Sequence, residues 1–267
     1  MTSTAAPATT ATTATLEQAL DLLERDADAA LRALQAAAKE AKRLKAAAAT
    51  GQVRDVHRAV EAVDRLAAAA ASTAAELRSG WRFDVAGCFE SGGYTKELLA
   101  AAAVAGVQAV ESDQRILCYP SVVQVSPGDA TVVIDKKKER RVRPSVLASH
   151  LADLQQRPPK FKPETYLETL AAAYDLVAPR PGGTAKLASV YGVLTLLPGA
   201  SRDYTKPEFA RDLYLLDQSG VTMTKNGRVM SLPASALTRG SGVLTTVTKA
   251  GQVKVYVGVA FTDPGQP

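Results

Sequence analysis

An apolar stretch, Ala130-Thr131-Val132-Val133-Ile134, runs directly into Asp135-Lys136-Lys137-Lys138-Glu139-Arg140-Arg141-Val142-Arg143. Six of the eight residues from Lys136 to Arg143 are basic, the densest cationic run in the chain. The apolar stretch reads as a strand, returning from a turn at Ser126-Pro127-Gly128-Asp129. Lys and Arg at its end are the residue types that contact phosphate. Counting on to Lys162, with Lys160 and Lys162 flanking Phe161, nine Lys or Arg face the three acids Asp135, Glu139 and Asp153. The expected chemistry is backbone contact to DNA or RNA by Lys136, Lys137, Lys138, Arg140, Arg141 and Arg143, assisted by Lys160 and Lys162. Such contacts give affinity without sequence selectivity.

A second chemistry shares the same residues. A strand ending in Asp-x-Lys, here Asp135 and Lys137, resembles the strand terminus of PD-(D/E)xK nucleases. The resemblance implies acids holding Mg2+ and a Lys steadying the attacking water. It covers two residues only. The second acid it requires would be Asp129, Asp113 or Glu90, none of them one strand upstream in an obvious way.

Other reactive types are sparse. Cys88, Cys118, His57 and His150 are the only thiols and imidazoles, and their spacing matches no zinc site or disulfide framework. No GxSxG nucleophile turn occurs. The sequence therefore names no catalytic residue and calls for no cofactor or metal. No apolar run reaches the roughly 18–20 residues that cross a bilayer. A cytoplasmic protein is the expectation. The net charge of +5 leans mildly towards polyanions.

The elements that would carry these residues begin with two heptad segments. Leu16, Leu20, Leu23, Ala27, Ala30, Leu34, Ala37, Ala41, Leu44 and Ala48 advance by alternating steps of four and three. Val53, Val56, Val60, Val63, Ala67, Ala70, Ala74 and Leu77 do the same after a loop of four residues. This spacing predicts an antiparallel coiled-coil hairpin over 16–79, behind a disordered Ala/Thr-rich tail over 1–15. Its base is acidic (Glu17, Asp21, Glu24, Asp26, Asp28) and its tip basic (Lys39, Lys42, Arg43, Lys45, Arg54, Arg58). Acids at a helix start and bases at its end match the macrodipole. The same pattern also fits a tip that meets a phosphate backbone or an acidic partner.

The body, over 80–178, reads as an α+β region. It has a helix over 96–110, one strand over 116–125 interrupted at Pro120, the return strand and basic run, then helices over 145–156 and 163–177. That helix pair is compatible with a helix-turn-helix. Pro179-Arg180-Pro181-Gly182-Gly183 reads as a linker. The unit over 184–267 is expected to hold a capped helix from Thr205 and two β-hairpins. One turns at Asn226-Gly227, the other near Lys249-Ala250-Gly251, a winged-helix-like arrangement with Lys225, Arg228 and Arg239 on its loops. The final strand, 253–261, is nearly all apolar and expected to be central. Two functional classes lead: a non-enzymatic nucleic-acid-associated or regulatory subunit, and an interaction subunit docking on a partner or its own copy through 16–79. A Mg2+-dependent nuclease comes third.

Overall fold

A computed structural model describes residues 14–233 and 242–263. Residues 1–13 of the tail predicted over 1–15 and the loop residue Arg239 lie outside the described residues. The protein is mixed helix and sheet with a long N-terminal helical pair. It divides into two compact units, Met1–Glu97 and Leu98–Pro267.

In the first unit, α1 (Leu16–Thr50) starts at a capping box. Thr15 Oγ1 accepts from Gln18 N at 3.2 Å, and Gln18 Oε1 accepts from Thr15 N at 3.1 Å. The amides of Leu16 and Glu17 would still be orphans. The Glu97 carboxylate takes both, at 3.0 and 2.8 Å. Gly51 ends the helix in the left-handed region, φ 71°. Its N–H and that of Gln52 return to Ala48 O and Ala47 O, a Schellman closure that starts the chain back. α2 (Val53–Gly80) then runs antiparallel along α1. Two short segments follow, α3 (Val85–Glu90) and the first turns of α4 (Gly93–Val104). Phe89 and Tyr94 stack with ring centroids 4.1 Å apart and close the base of the arm.

The helical pair differs from its expected seam in one respect. Leu16, Leu20, Leu23, Ala30, Ala37 and Leu44 of α1 and Val56, Val63, Ala70 and Leu77 of α2 are shielded as predicted. The remaining residues of each stripe are slipped by one. Asp26, Ala33, Glu40 and Ala47 face the seam where Ala27, Leu34, Ala41 and Ala48 were expected. In α2, Ala59, Leu66 and Thr73 replace Val60, Ala67 and Ala74. Ala59 is 8% exposed whereas Val60 is 50% exposed. Alanine explains the slip. Small residues at the contact let the two backbones come close, and an apolar repeat made largely of Ala fits either of two neighbouring stripes.

In the second unit, β1 (Val110–Ser112), β2 (Arg115–Cys118), β3 (Ser121–Ser126), β4 (Thr131–Ile134) and β5 (Lys137–Glu139) form an antiparallel sheet in chain order. The single strand expected over 116–125 is two. A cis Tyr119–Pro120 peptide occupies the turn, and Cys118 pairs with Ser121 across it. α5 (Pro144–Gln156) and α6 (Pro163–Asp175) are joined by the six residues 157–162. No strand pair follows α6, only the two-residue β6 (Ala185–Lys186), then α7 (Leu187–Leu194) and α8 (Ala200–Asp203). α9 (Lys206–Ser219) starts at the predicted Thr205/Glu208 capping box.

β7 (Val229–Ser231) follows the Asn226-Gly227 turn and pairs back across it, Met223 bridging Val229 while Thr224 N donates to Arg228 O and Met230 N to Thr222 O. It also hydrogen-bonds to β10 (Gly258–Thr262), so this hairpin is part of a sheet and not a separate two-stranded wing. The other predicted hairpin is present as β8 (Leu244–Val247) and β9 (Val253–Tyr256). The expected last strand breaks at Val257, whose carbonyl accepts from Leu187 N. Its second half, β10, is central between β6 and β7. Leu167, Leu170, Leu187, Phe209, Leu213 and Phe261 gather in the main core.

Candidate functional site

The basic run does not form one ridge. Asp135 and Lys136 occupy the two-residue turn between β4 and β5, both in the left-handed region with φ 45° and 70°. The three residues after it make the edge strand β5, where Lys137 lies opposite Ile134, Lys138 opposite Val133, and Glu139 opposite Val132. Successive side chains therefore leave opposite faces of the sheet. Carboxylates hold several of the cations. Lys138 Nζ is 2.6 Å from Asp129 Oδ2, and Arg141 binds Glu139 through both side-chain and backbone N–H groups. Lys136 Nζ lies 3.9 Å from Glu208 Oε1. The Arg141 hydrogen bonds hold the Glu139 carboxyl down at about 2. The hydrogen bond from Lys138 lowers Asp129 in the same way.

Of the remaining expected contacts, Lys137 and Arg140 are exposed on the strand and its continuation. Arg143 stands at the N-cap of α5 and is half-buried. Lys160 and Lys162 are exposed in the separate connection before α6. Charged side chains on an unpaired edge also have a plain structural use, since they discourage another strand from adding to it.

Asp135 is committed elsewhere. Its Oδ1 accepts from Val122 N at 3.1 Å and from Arg211 Nη1 at 2.8 Å. Arg211 also pairs with Asp212 at 2.8 Å, and Tyr204 donates to Asp212 Oδ2 at 3.0 Å. The Tyr204 and Tyr166 hydroxyls are 3.3 Å apart. This chain of bonds ties the β4–β5 turn to α9 and α6. Burial pushes the Asp212 carboxyl up, against the pull of Arg211. Burial likewise raises Tyr204 and Tyr166. A cleft of about 430 Å3 opens beside the turn, with Arg115, Lys136 and Arg202 facing Asp135, Asp203 and Glu208. Its charges offset one another. Among the described residues no group of three or more His, Cys, Asp or Glu is placed to hold a metal ion. Asp135 thus sits in a structural turn, and Lys137 opens the edge strand that follows it. Cys88 is raised by burial, and Cys118, also by burial, to about 12. Both are poor nucleophiles.

The helical arm presents a different kind of surface. One of its faces carries a shallow groove of about 580 Å3, where Arg43, Asp55, Arg58 and Arg65 border a floor that includes Ala47, Ala59 and Leu66. The lining residues recur at one set of heptad positions on both helices, so the next positions round lie together on the opposite face. Those are Ala27, Leu34, Ala41 and Ala48 on α1, with Val53, Val60, Ala67 and Ala74 on α2. All eight are exposed. Leu34 is 53% exposed and Val53 65%. Leu31, one turn towards the base from Leu34, is exposed as well, whereas exposed Leu22 lies on the grooved side.

This stripe is the half of the heptad pattern that had been expected inside the seam. Its residues were legible in the sequence and their side was not. Among the described residues no helix is long and apolar enough to cross a membrane. No family model matches the chain, and no curated protein or solved structure matches it either. The site must therefore be argued from its own chemistry.

Proposed function

We propose that the chain is a non-enzymatic interaction subunit that docks through the outer apolar face of its N-terminal helical arm. The observation that carries this reading is the exposure of Leu34, Val53 and Val60 in one stripe, beside a seam whose fully buried residues beyond Leu16 are Ala30, Ala47, Ala59 and Ala70. Single exposed apolar residues are ordinary, but a contiguous stripe on one face of a rigid arm marks a contact surface. A pair of helices presenting such a stripe suits another helix or helix pair. The cationic strand is weaker ground, because Asp129, Glu139 and Glu208 engage Lys138, Arg141 and Lys136.

A photoreactive residue placed at Val60 of the full-length protein, in extract of the cells that make it, tests this reading. The control is the same residue at Ala69, exposed on the grooved face. Cross-linking to protein at Val60 and not at Ala69 is expected. Equal cross-linking at both positions, or none at Val60, would overturn the docking face.

A further inference from the structure

The apolar face is bordered by charges whose order along the arm has a consequence for its occupant. On α1 the border positions, read from base to tip, are Glu17, Glu24, Leu31, Ala38 and Lys45. On α2, from tip to base, they are His57, Asp64, Ala71 and Arg78. Each row holds one pair of opposite charges that meet when the row is reversed. Laying α1 on a reversed copy of itself about Leu31 brings Lys45 to Glu17. Laying α2 on its reversed copy about Ala71 brings Asp64 to Arg78.

The two centres agree. Counting outwards from the turn at Gly51 and Gln52, whose N–H groups return to Ala48 and Ala47, residues equidistant from it stand at one height, Ala47 with Val56 and Ala33 with Ala70. Leu31 and Ala71 therefore stand within about one residue, or about 1.5 Å, of the same height on the arm. One two-fold axis serves both helices. Such an axis, lying in the interface and across the arm, turns the face over, reverses the arm and keeps α1 on α1 and α2 on α2. A second copy supplies both pairs of opposite charge through this one axis.

On these grounds, which rest on the docking face proposed above, we infer that the occupant is a second copy of this chain. The two arms lie antiparallel and face to face, with the tip of each over the base of the other. Reversed about these centres, α1 overlaps its counterpart over about 30 residues and α2 over residues 62–80, about 45 Å and about 28 Å long and each about 10 Å wide. That is about 700 Å2 on each copy, within the standard range for a specific interface. Leu31 and Leu34 meet their counterparts near the axis. Val60 falls level with the second copy's Trp81, whose ring is 38% exposed at the end of α2.

Sedimentation of the full-length chain across micromolar concentrations reads this out. The parent is expected to be a dimer. Leu34→Glu, which puts two carboxylates near the axis, is expected to weaken it at least about 30-fold, the effect of losing a central hot-spot contact. Asp64→Arg and Arg78→Asp are each expected to weaken it about tenfold, and the double substitution to restore it. Residues 64 and 78 of one chain are about 21 Å apart along α2 and cannot compensate within a copy. Unchanged far-UV circular dichroism confirms that each variant keeps its arm.

A dimer in which the double substitution fails to rescue the single ones would overturn the antiparallel pairing. A parent that stays monomeric at about 100 μM would overturn self-association. In that case Val60-specific cross-linking to a different protein leaves the docking face standing, and loss of that cross-linking removes both.

Discussion

Glu97 is the sharpest place to test how the arm is held. Its carboxylate accepts from the amides of Leu16 at 3.0 Å and Glu17 at 2.8 Å, two of the donors that the start of α1 leaves without intrahelical partners. It also puts a negative charge at the positive end of a 35-residue helix. A hydrogen bond to a charged acceptor contributes about 1.5–3 kcal/mol, and loss of a helix cap costs about 0.5–2. The two contacts share one carboxylate, and water can reach the freed amides in part. Glu97→Ala should therefore cost about 2 kcal/mol. For a unit of this size that lowers the melting temperature by about 8–16 °C. Glu97→Gln keeps one acceptor oxygen and loses the charge, so about half the effect is expected. Thermal melts of the full chain followed at 222 nm measure both. Amide exchange at Leu16 and Glu17 should accelerate in the same order. Glu61→Ala, an exposed acid in mid-α2, is the control. A melt of Glu97→Ala no lower than that of Glu61→Ala would refute the reasoning.

Two further outcomes follow from the charges of the fold. Of eight tyrosines, six (Tyr94, Tyr119, Tyr166, Tyr191, Tyr204 and Tyr256) have hydroxyls raised above the usual value, each mainly by burial. A group raised in the fold supports it fully below its unfolded value of about 10, and that support is lost as pH climbs past it. Absorbance at 295 nm should show well under half of the tyrosines ionised at pH 10.5 while circular dichroism stays native, the rest appearing together with unfolding. Ionisation of all eight near pH 10 in the folded chain would contradict this. Separately, Asp129→Asn with Glu139→Gln releases Lys138 and Arg141 from their carboxylates. The doubly substituted chain should leave heparin at higher salt than the parent, beyond the shift given by two exposed acids of α2, Asp55 and Glu61, neutralised in the same way. Equal shifts would show that the two acids do not mask the strand.

How far the sequence disclosed this structure depended on the kind of signal. Caps are local chemistry, and both capping boxes, Thr15 with Gln18 and Thr205 with Glu208, stand where the spacing puts them. Gly51 ends α1 for the same reason. Signals that need a partner elsewhere in the chain were lost. The break at Val257 depends on a hydrogen bond from Leu187, seventy residues away, and a run of apolar residues gives no sign of it. Pro120 was visible as an interruption, but its cis peptide, which makes the interruption a turn, was not. The basic run was read as one cationic surface because a strand edge and its turn cannot be told from a loop when every residue is charged. Period two then sends Lys137 and Lys138 to opposite faces. The acids that hold the cations, Asp129 before the strand and Glu208 on α9, are respectively near and far in sequence.

The one-residue slip in the arm bears most directly on the proposed role. Burying a large aliphatic side chain contributes about 1.5–3 kcal/mol, and an alanine contributes far less. A sequence selected only for a stable isolated hairpin would turn Leu34 and Val60 inward. The structure instead buries Ala30, Ala47, Ala59 and Ala70 and leaves Leu31, Leu34, Val53 and Val60 in solvent. Close packing of the helices and the anchoring of α1 by Glu97 hold the arm together without those side chains. Their burial free energy therefore remains for association. The unfavourable exposure in one copy becomes the driving force when two faces meet, while the reversed charge rows bordering the face select how they meet. On this account, moving Leu34 into the seam by exchanging it with Ala33 should stabilise the single arm and weaken the dimer together. An arm selected for stability alone has no reason to show that trade-off.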